Sequence, residues 1–319
     1  MSTREQSWVI LLAGGDSVRL RGRTVRGLTL DRPKQFCRIA SDRTLLCEAL
    51  DRASRLVAPE RIVPVVAASH RPWWTAELQG VPAGNVLEQP GNRGNAIAIL
   101  HALNHILHAE SDPLVVILPA DHAVEDEDVL AEAIRVALRA TLRARGRVVL
   151  LGIAPDEPDS EYGWIVPARA TQDASAVRAF VEKPSRETAA ELMRQGSLWN
   201  SFILASTGEG LLELFRATRP ELLESYGRHL GSHETSARAL ESLFRELEPT
   251  DFSRDVLEHA PERLVVVRVP PCGWTDLGTP ARLAAWVDRR GGGRPGAGAD
   301  RGRTAADRER LAAEVQALV

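Results

Sequence analysis

The chain predicts an α/β protein: a doubly wound, mostly parallel sheet flanked by helices. Three observations carry that expectation. Apolar, strand-like runs alternate with stretches of helical spacing, which is the sequence form of parallel βαβ units. The first run ends in a glycine turn, Ala13-Gly14-Gly15, and sheets of this kind bind ligands beyond the carboxyl ends of their strands. With 319 residues, 44% of them apolar, there is enough material to cover both faces of such a sheet.

In chain order, residues 8–12 read as a buried strand and residues 44–56 as a helix. Strand 62–68, helix 95–108, strand 114–118, helix 129–145 and strand 148–153 follow. From about residue 156 the pieces shorten to strands at 162–167, 177–181 and 199–205, with a helix at 185–195. Helical text then runs over 208–247, and a last strand at 264–269 leads to Gly273-Trp274-Thr275-Asp276. No linker and no internal repeat divides this text, so residues 1–290 read as one domain, with parts at about 1–155 and 156–290. Residues 291–303 are a Gly/Arg-rich linker, and 305–319 an amphipathic tail, helical or disordered.

A net charge of −3 argues against a general nucleic-acid binder, which needs a basic surplus. Three cysteines, Cys37, Cys47 and Cys272, make neither a disulfide framework nor a metal-type pair. The opening apolar run is too short for a signal or membrane segment, so a cytoplasmic protein with no membrane partner is expected. Of 40 basic residues only Lys34 and Lys183 are lysine. Either they survive by chance, or they stand where a compact ammonium is required in place of a planar guanidinium.

Chemistry concentrates in the loops after the strands. The glycine turn at Leu12-Ala13-Gly14-Gly15 lets backbone N–H groups approach a phosphate chain, with Arg19 and Lys34 as countercharge. Its spacing fits neither a Walker loop nor a dinucleotide fingerprint. Arg21, Arg23 and Arg26 read as a solvated, mobile loop. Asp121, just past a buried strand, is placed either as a strand-end carboxylate facing the crevice or as a helix cap. Asp276 has a similar setting. Trp73-Trp74 reads as packing, or as an interface such as a homodimer's, away from every motif.

In order, Leu12-Ala13-Gly14-Gly15, Arg19-Leu20, Pro33-Lys34-Gln35-Phe36, Gln89-Pro90-Gly91-Asn92-Arg93-Gly94, Leu118-Pro119-Ala120-Asp121-His122, Glu161-Tyr162-Gly163-Trp164, Glu182-Lys183-Pro184, Trp199-Asn200 and Gly273-Trp274-Thr275-Asp276 resemble the sugar-1-phosphate nucleotidylyltransferases. Within that family they are most like the branch that uses GTP and mannose 1-phosphate.

The resemblance implies a Rossmann-like fold and a reaction that joins a nucleoside triphosphate to a sugar 1-phosphate and releases pyrophosphate. It implies Mg²⁺ held by Asp121 and Asp276 on opposite sides of the reacting phosphates. Leu12, Ala13, Gly14, Gly15, Arg19, Lys34, Gln89, Asn92, Arg93, Gly94 and Asp121 are expected at the nucleotide. Gly163, Glu182, Lys183 and Asn200 are expected at the sugar phosphate, with Arg19, Lys34 and Lys183 catalytic. The ionised nucleophile needs no general base, so His122 is expected to be structural.

The chain departs from the family at Ser17 and Val18, where Gly and Ser or Thr are usual, at Gly22-Arg23 for Pro-Leu, and at Asn95 and Ile97 for Thr and Pro. Ser17 matters most, since a side chain there is expected only if the backbone differs from the glycine form. These departures leave open another base or hexose, or a sugar-nucleotide-binding regulator in place of an enzyme. The isomerase domain fused to some relatives is not expected, because too little chain follows Gly278.

Overall fold

The computed structural model describes residues 7–169, 174–230 and 237–291. The expected linker and tail beyond residue 291 lie outside them. Strand β1 (Ser7–Leu12) is followed by a hairpin of β2 (Thr24–Val25) and β3 (Leu28–Thr29), helix α1 (Leu45–Ser54) and strand β4 (Ile62–Ala67). Next come the single turn α2 (Arg71–Trp74), β5 (Leu87–Gln89), α3 (Asn95–Ala109), β6 (Leu114–Pro119), α4 (Glu127–Arg143) and β7 (Val148–Ile153). The second half holds β8 (Gly163–Pro167), β9 (Ser175–Glu182), α5 (Arg186–Arg194), β10 (Leu198–Thr207), α6 (Gly208–Thr218), α7 (Pro220–Leu230), α8 (Ala237–Glu246), the short α9 (Phe252–Asp255), β11 (Leu264–Arg268) and α10 (Pro280–Gly291).

One nine-stranded sheet runs β5-β4-β1-β6-β10-β7-β11-β9-β8. Its first part is parallel, as β1 pairs in parallel with both β4 and β6, and β4 with β5. The second part is mixed, which refines the expectation of a mostly parallel sheet. β10 is antiparallel to both β6 and β7, and β9 to both β8 and β11. For β8 and β9 the reason is length: the connection from Pro167 to Ser175 is too short for the crossover that parallel pairing needs.

Both faces are covered, so the central strands carry near-continuous apolar text. Val9 and Leu11 of β1 pack toward α1 and α4, beside Leu46, Ala49, Leu130 and Ile134. Trp8 and Ile10 point the other way, toward Ile97 and Leu100 of α3. Side-chain caps stop the helices fraying where the loops begin: Thr44, Asp126, Ser185 and Thr207 each accept a backbone N–H at the start of α1, α4, α5 and α6. No helix among the described residues is long and apolar enough to cross a membrane.

Two local expectations are corrected. Residues 20–30 are anchored: Leu20 and Leu30 are buried with Leu283 and Trp286 of α10, and Arg26 pairs with Asp288 at 2.6 Å. Arg21, Arg23 and Arg26 all keep the exposure expected of that loop. Gly22, which replaces a proline-type position, has φ +75° where the hairpin closes, a conformation that favours glycine. Trp73 is not remote from the motifs, since its ring lies 5.8 Å from that of Phe36. Trp74 is buried and donates its indole N–H to the Ala67 carbonyl at 3.0 Å.

Candidate active site

The carboxyl ends of β1, β5 and β6 meet the second half of the sheet around a cleft of about 580 Å³. At one end the glycine turn after β1 forms the wall. Gly14 keeps the wall open at Gln89, since a Cβ there would stand 3.3 Å from Gln89 Oε1, a tight contact that the amide would have to yield to. Gln89 is itself buried, and its Nε2 has no hydrogen-bond partner among the described residues, an unsatisfied donor at the wall. Leu12, Gly15, Arg19, Asn92 and Gly94 share this wall. Asn92 is held by two bonds: its Nδ2 donates to Asp16 at 3.0 Å, and its Oδ1 accepts from Gly94 N at 3.0 Å.

The residue before Val18 keeps the glycine-like backbone after all. Ser17 has φ +51°, so the expectation that a side chain demands a different backbone is overturned, at a strain cost of about 1–2 kcal/mol. Its hydroxyl supplies the physical reason: Ser17 Oγ accepts from the backbone N–H of Lys34 at 3.0 Å.

Charge is concentrated at the centre. Asp121 follows β6, and Asp276 follows β11. Backbone bonds Ala123 N to Thr275 O and Thr275 N to Ala123 O, both 2.9 Å, tie the two loops together. No helix starts at Asp121, so the alternative of a helix cap falls away. Lys34, with a side chain only 9% exposed, reaches Asp121 Oδ2 at 3.1 Å and donates to the backbone carbonyl of Asp276. One oxygen of Asp276, Oδ1, accepts from Tyr162 OH at 2.9 Å, Arg282 at 2.7 Å and Gly278 N at 2.9 Å. Burial pushes this carboxyl up, but the Lys34 and Arg282 cations outweigh it and hold it at about 2. Asp276 therefore stays ionised. Arg282 is fixed in turn by Asp159 and lies 3.9 Å over the Tyr162 ring.

His122 accepts at Nδ1 from the Trp274 indole at 3.3 Å. Burial lowers its pKa to about 4. A neutral imidazole wedged against an indole supports the loop and offers no proton at neutral pH.

At the far end, Gly163 starts β8 directly opposite Glu182. A Cβ there would stand 2.6 Å from Glu182 Oε2 and 3.0 Å from Phe180 Cζ. Glu182 is buried, with a side chain 7% exposed, and Lys183 Nζ lies 3.4 Å from it. Burial raises the Glu182 pKa against that lysine. This is not the exposed ion pair that adjacency in sequence suggests. Asn200 Oδ1 accepts from Phe202 N at 3.1 Å across a bulge in β10, and its Nδ2 faces Ser253.

The cleft thus gathers most of the expected residues, with three exceptions. Ala13 and Lys34 lie just behind the wall, not on it. Arg93, expected at the nucleotide, donates its Nε to the Phe244 carbonyl at 2.6 Å and forms no part of the wall. Its loop is pinned there because Thr250 N donates to Arg93 O. Arg19 is at the mouth, where it pairs with Glu161; both side chains are about half exposed, 55% and 46%, so that contact is worth little and is free to exchange.

Sequence reasoning missed the wall contributed by residues 249–255, including Asp251, Ser253 and Arg254. Its signal lay elsewhere in the chain. Gly94, at φ +85°, leaves room for Thr250 O, which would stand 2.1 Å from a Cβ. Asn95, where the family has Thr, accepts from Phe252 N at 2.6 Å. Arg254 carries no ion pair among the described residues, although it faces the cleft.

The donor set suits Mg²⁺, a hard cation that takes one or two carboxylates and completes its octahedron with phosphate oxygens and water. Asp121 and Asp276 are two such carboxylates, and the second oxygen of Asp276 remains outside the bonds that occupy Oδ1. No group of three or more protein ligands forms among the described residues.

The chain is 30% identical over 289 residues to mannose-1-phosphate guanylyltransferase 2 of Escherichia coli O157:H7, covering 85% of this chain and 58% of the relative. It is likewise 30% identical to the xanthan biosynthesis protein XanB of Xanthomonas campestris pv. campestris strain B100, over 89% of this chain and 60% of that one. The chain therefore spans somewhat under two thirds of the length of these relatives. A crystal structure of a Thermus thermophilus protein described as a mannose-1-phosphate geranyltransferase superposes with a TM-score of 0.75 at 31% identity, covering 86% of this chain and 76% of that one. The model of the nucleotidyl transferase family matches residues 8–287, from the first strand through both strand-end carboxylates, and this chain belongs to that family.

Proposed function

We propose that this chain is a mannose-1-phosphate guanylyltransferase, joining GTP and α-D-mannose 1-phosphate to give GDP-mannose and pyrophosphate. The observation that carries this reading is the position of Asp121 and Asp276. They stand between a glycine-walled end with an unpartnered amide, Gln89, and an end lined by Glu182, Lys183 and Asn200. Two anions can lie end to end in such a cleft and meet at its centre.

An oxygen of the sugar phosphate attacks the α-phosphorus in line. The bond from that phosphorus to the β-bridging oxygen breaks, and pyrophosphate leaves with the electron pair. The nucleophile is already ionised, so the protein's tasks are alignment and charge compensation. Gln89 and Asn92 hold base and ribose, Gly14 and Gly15 let the phosphates approach, and Arg19 exchanges Glu161 for triphosphate oxygens. Lys34 offers charge from between the carboxylates. Lys183 holds the sugar phosphate, while Glu182 and Asn200 accept and donate to sugar hydroxyls. Mg²⁺, held by Asp121 and Asp276, would neutralise phosphate charge when bound. Free thiols at Cys37, Cys47 and Cys272 suit a reducing cytoplasm.

The test is pyrophosphate release with Mg²⁺ over a grid of nucleoside triphosphates and hexose 1-phosphates. Release with GTP and mannose 1-phosphate above every other pair is expected. Release with UTP or dTTP alone refutes the base assignment, and no release from any pair, with sugar nucleotide still bound, refutes the enzyme.

A further inference from the structure

Ser17 sits in a conformation that glycine adopts without cost, yet the chain keeps a side chain there. The hydroxyl is used on both sides. It accepts from Lys34 N at 3.0 Å and faces Gln35 Oε1 at 3.4 Å, to which it can donate. Gln35 is 1% exposed, and its Nε2 donates to Ala13 O at 3.0 Å and Gly15 O at 2.7 Å. One hydroxyl and one carboxamide thus join the end of β1, the glycine turn and the Pro33–Phe36 turn.

We propose that Ser17, acting through Gln35, is a positioning residue that holds the glycine turn and Lys34 in one register for the phosphates of the nucleoside triphosphate. This rests on the nucleotide reading of the cleft above. Two consequences follow from the geometry. The carbonyls of Ala13 and Gly15 are both tied to the Gln35 side chain, which fixes the peptide planes before and after the Gly14-Gly15 pair at the cleft wall. Lys34 has its backbone held at the point from which its ammonium spans Asp121 and the Asp276 carbonyl. Deleting the hydroxyl leaves the Lys34 N–H, in a residue 7% exposed, without its acceptor. Glycine at the position removes the strain and the clamp together.

The experiment compares Ser17→Ala and Ser17→Gly with the parent chain by three measurements: hydrogen–deuterium exchange at the Lys34 amide in the ligand-free protein, calorimetric affinity for GTP and for mannose 1-phosphate separately, and melting temperature. Both variants are expected to exchange the Lys34 amide about tenfold faster and to bind GTP about tenfold more weakly, with mannose 1-phosphate affinity held within about twofold. Ser17→Gly is expected to melt no lower than the parent, which separates positioning from a merely structural role. Unchanged exchange and GTP affinity in both variants overturn the proposal. So does an equal loss for both ligands. If the parent binds no nucleoside triphosphate, the proposed function fails. Exchange at Lys34 still decides the clamp: faster exchange supports it and unchanged exchange overturns it.

Discussion

Lys34 and Lys183, the two lysines of an arginine-rich chain, serve two parts of one cleft in opposite conditions, Lys34 behind the wall at its centre and Lys183 at the end it shares with Glu182. The Lys34 side chain is 9% exposed and engaged by Asp121 and by the Asp276 carbonyl. Lys183 is 39% exposed, on a backbone at φ +46°, with Glu182 at 3.4 Å as its ion-pair partner. The centre has its charge wired into the fold, while the end proposed for the sugar phosphate keeps a cation available to whatever arrives. Function and stability are therefore coupled at the centre and separable at that end.

The largest effect that can break this contrast is expected at Lys34. Lys34→Met removes the cation that pairs with Asp121 and bonds the Asp276 carbonyl, and leaves both carboxylates with less compensation. Turnover is expected to fall about 1000-fold, and unfolding free energy by about 3 kcal/mol, read by pyrophosphate release and by urea denaturation. A variant that loses activity at unchanged stability would mean that Lys34 is no more embedded than Lys183.

At the sugar end the same measurements are expected to part company. Lys183→Arg keeps the charge but exchanges a compact ammonium for a planar fork on a constrained backbone. An activity loss of about 100-fold is expected, with stability within about 0.5 kcal/mol of the parent, as for an exposed position. Near-normal turnover would show that charge alone suffices there, and would return the scarcity of lysine to chance.

The contrast also explains what was legible in the sequence. Strands β1, β4, β6 and β7 announce themselves as apolar runs because both faces are covered, and Asp121 and Asp276 because each follows such a run. The reversal of β10 left no comparable trace, since a buried antiparallel strand carries the same apolar text as a buried parallel one. Arg93 was misplaced because a loop sequence does not say which way its side chains turn. The wall at residues 249–255 is a short stretch leading into the single turn α9, pinned from a distance by Gly94 and Asn95, and one turn is too short to leave a helical period in the sequence. Arginine richness hid Arg282 among many others, although it is the cation that bonds Asp276 directly.

The smallest effect is the most discriminating, because the centre and the Glu182 end are expected to respond to acid with opposite sign. Asp276 lies at about 2 in the fold against an ordinary 3.8: burial raises it, but Lys34 and Arg282 prevail. The stability it contributes is present above 3.8 and lost as pH falls through 2. Asp276→Asn is then expected to cost about 2 kcal/mol at pH 7, with the gap to the parent narrowing as pH is taken toward 3. Glu182 is displaced upward from 4.5 by burial, more than Lys183 and Arg254 pull it down. Its folded form holds the proton more tightly than the unfolded chain, so the ionised carboxylate costs stability above that raised pKa, and the cost lifts on acidification through it. Glu182→Gln should therefore be as stable as the parent or more so at pH 7, with the difference gone below about 4.5. Urea titrations of both variants between pH 7 and pH 3 decide it. If Glu182→Gln loses stability at pH 7 as Asp276→Asn does, the Glu182 end is wired into the fold as firmly as the centre, and the distinction between the two lysines falls with it.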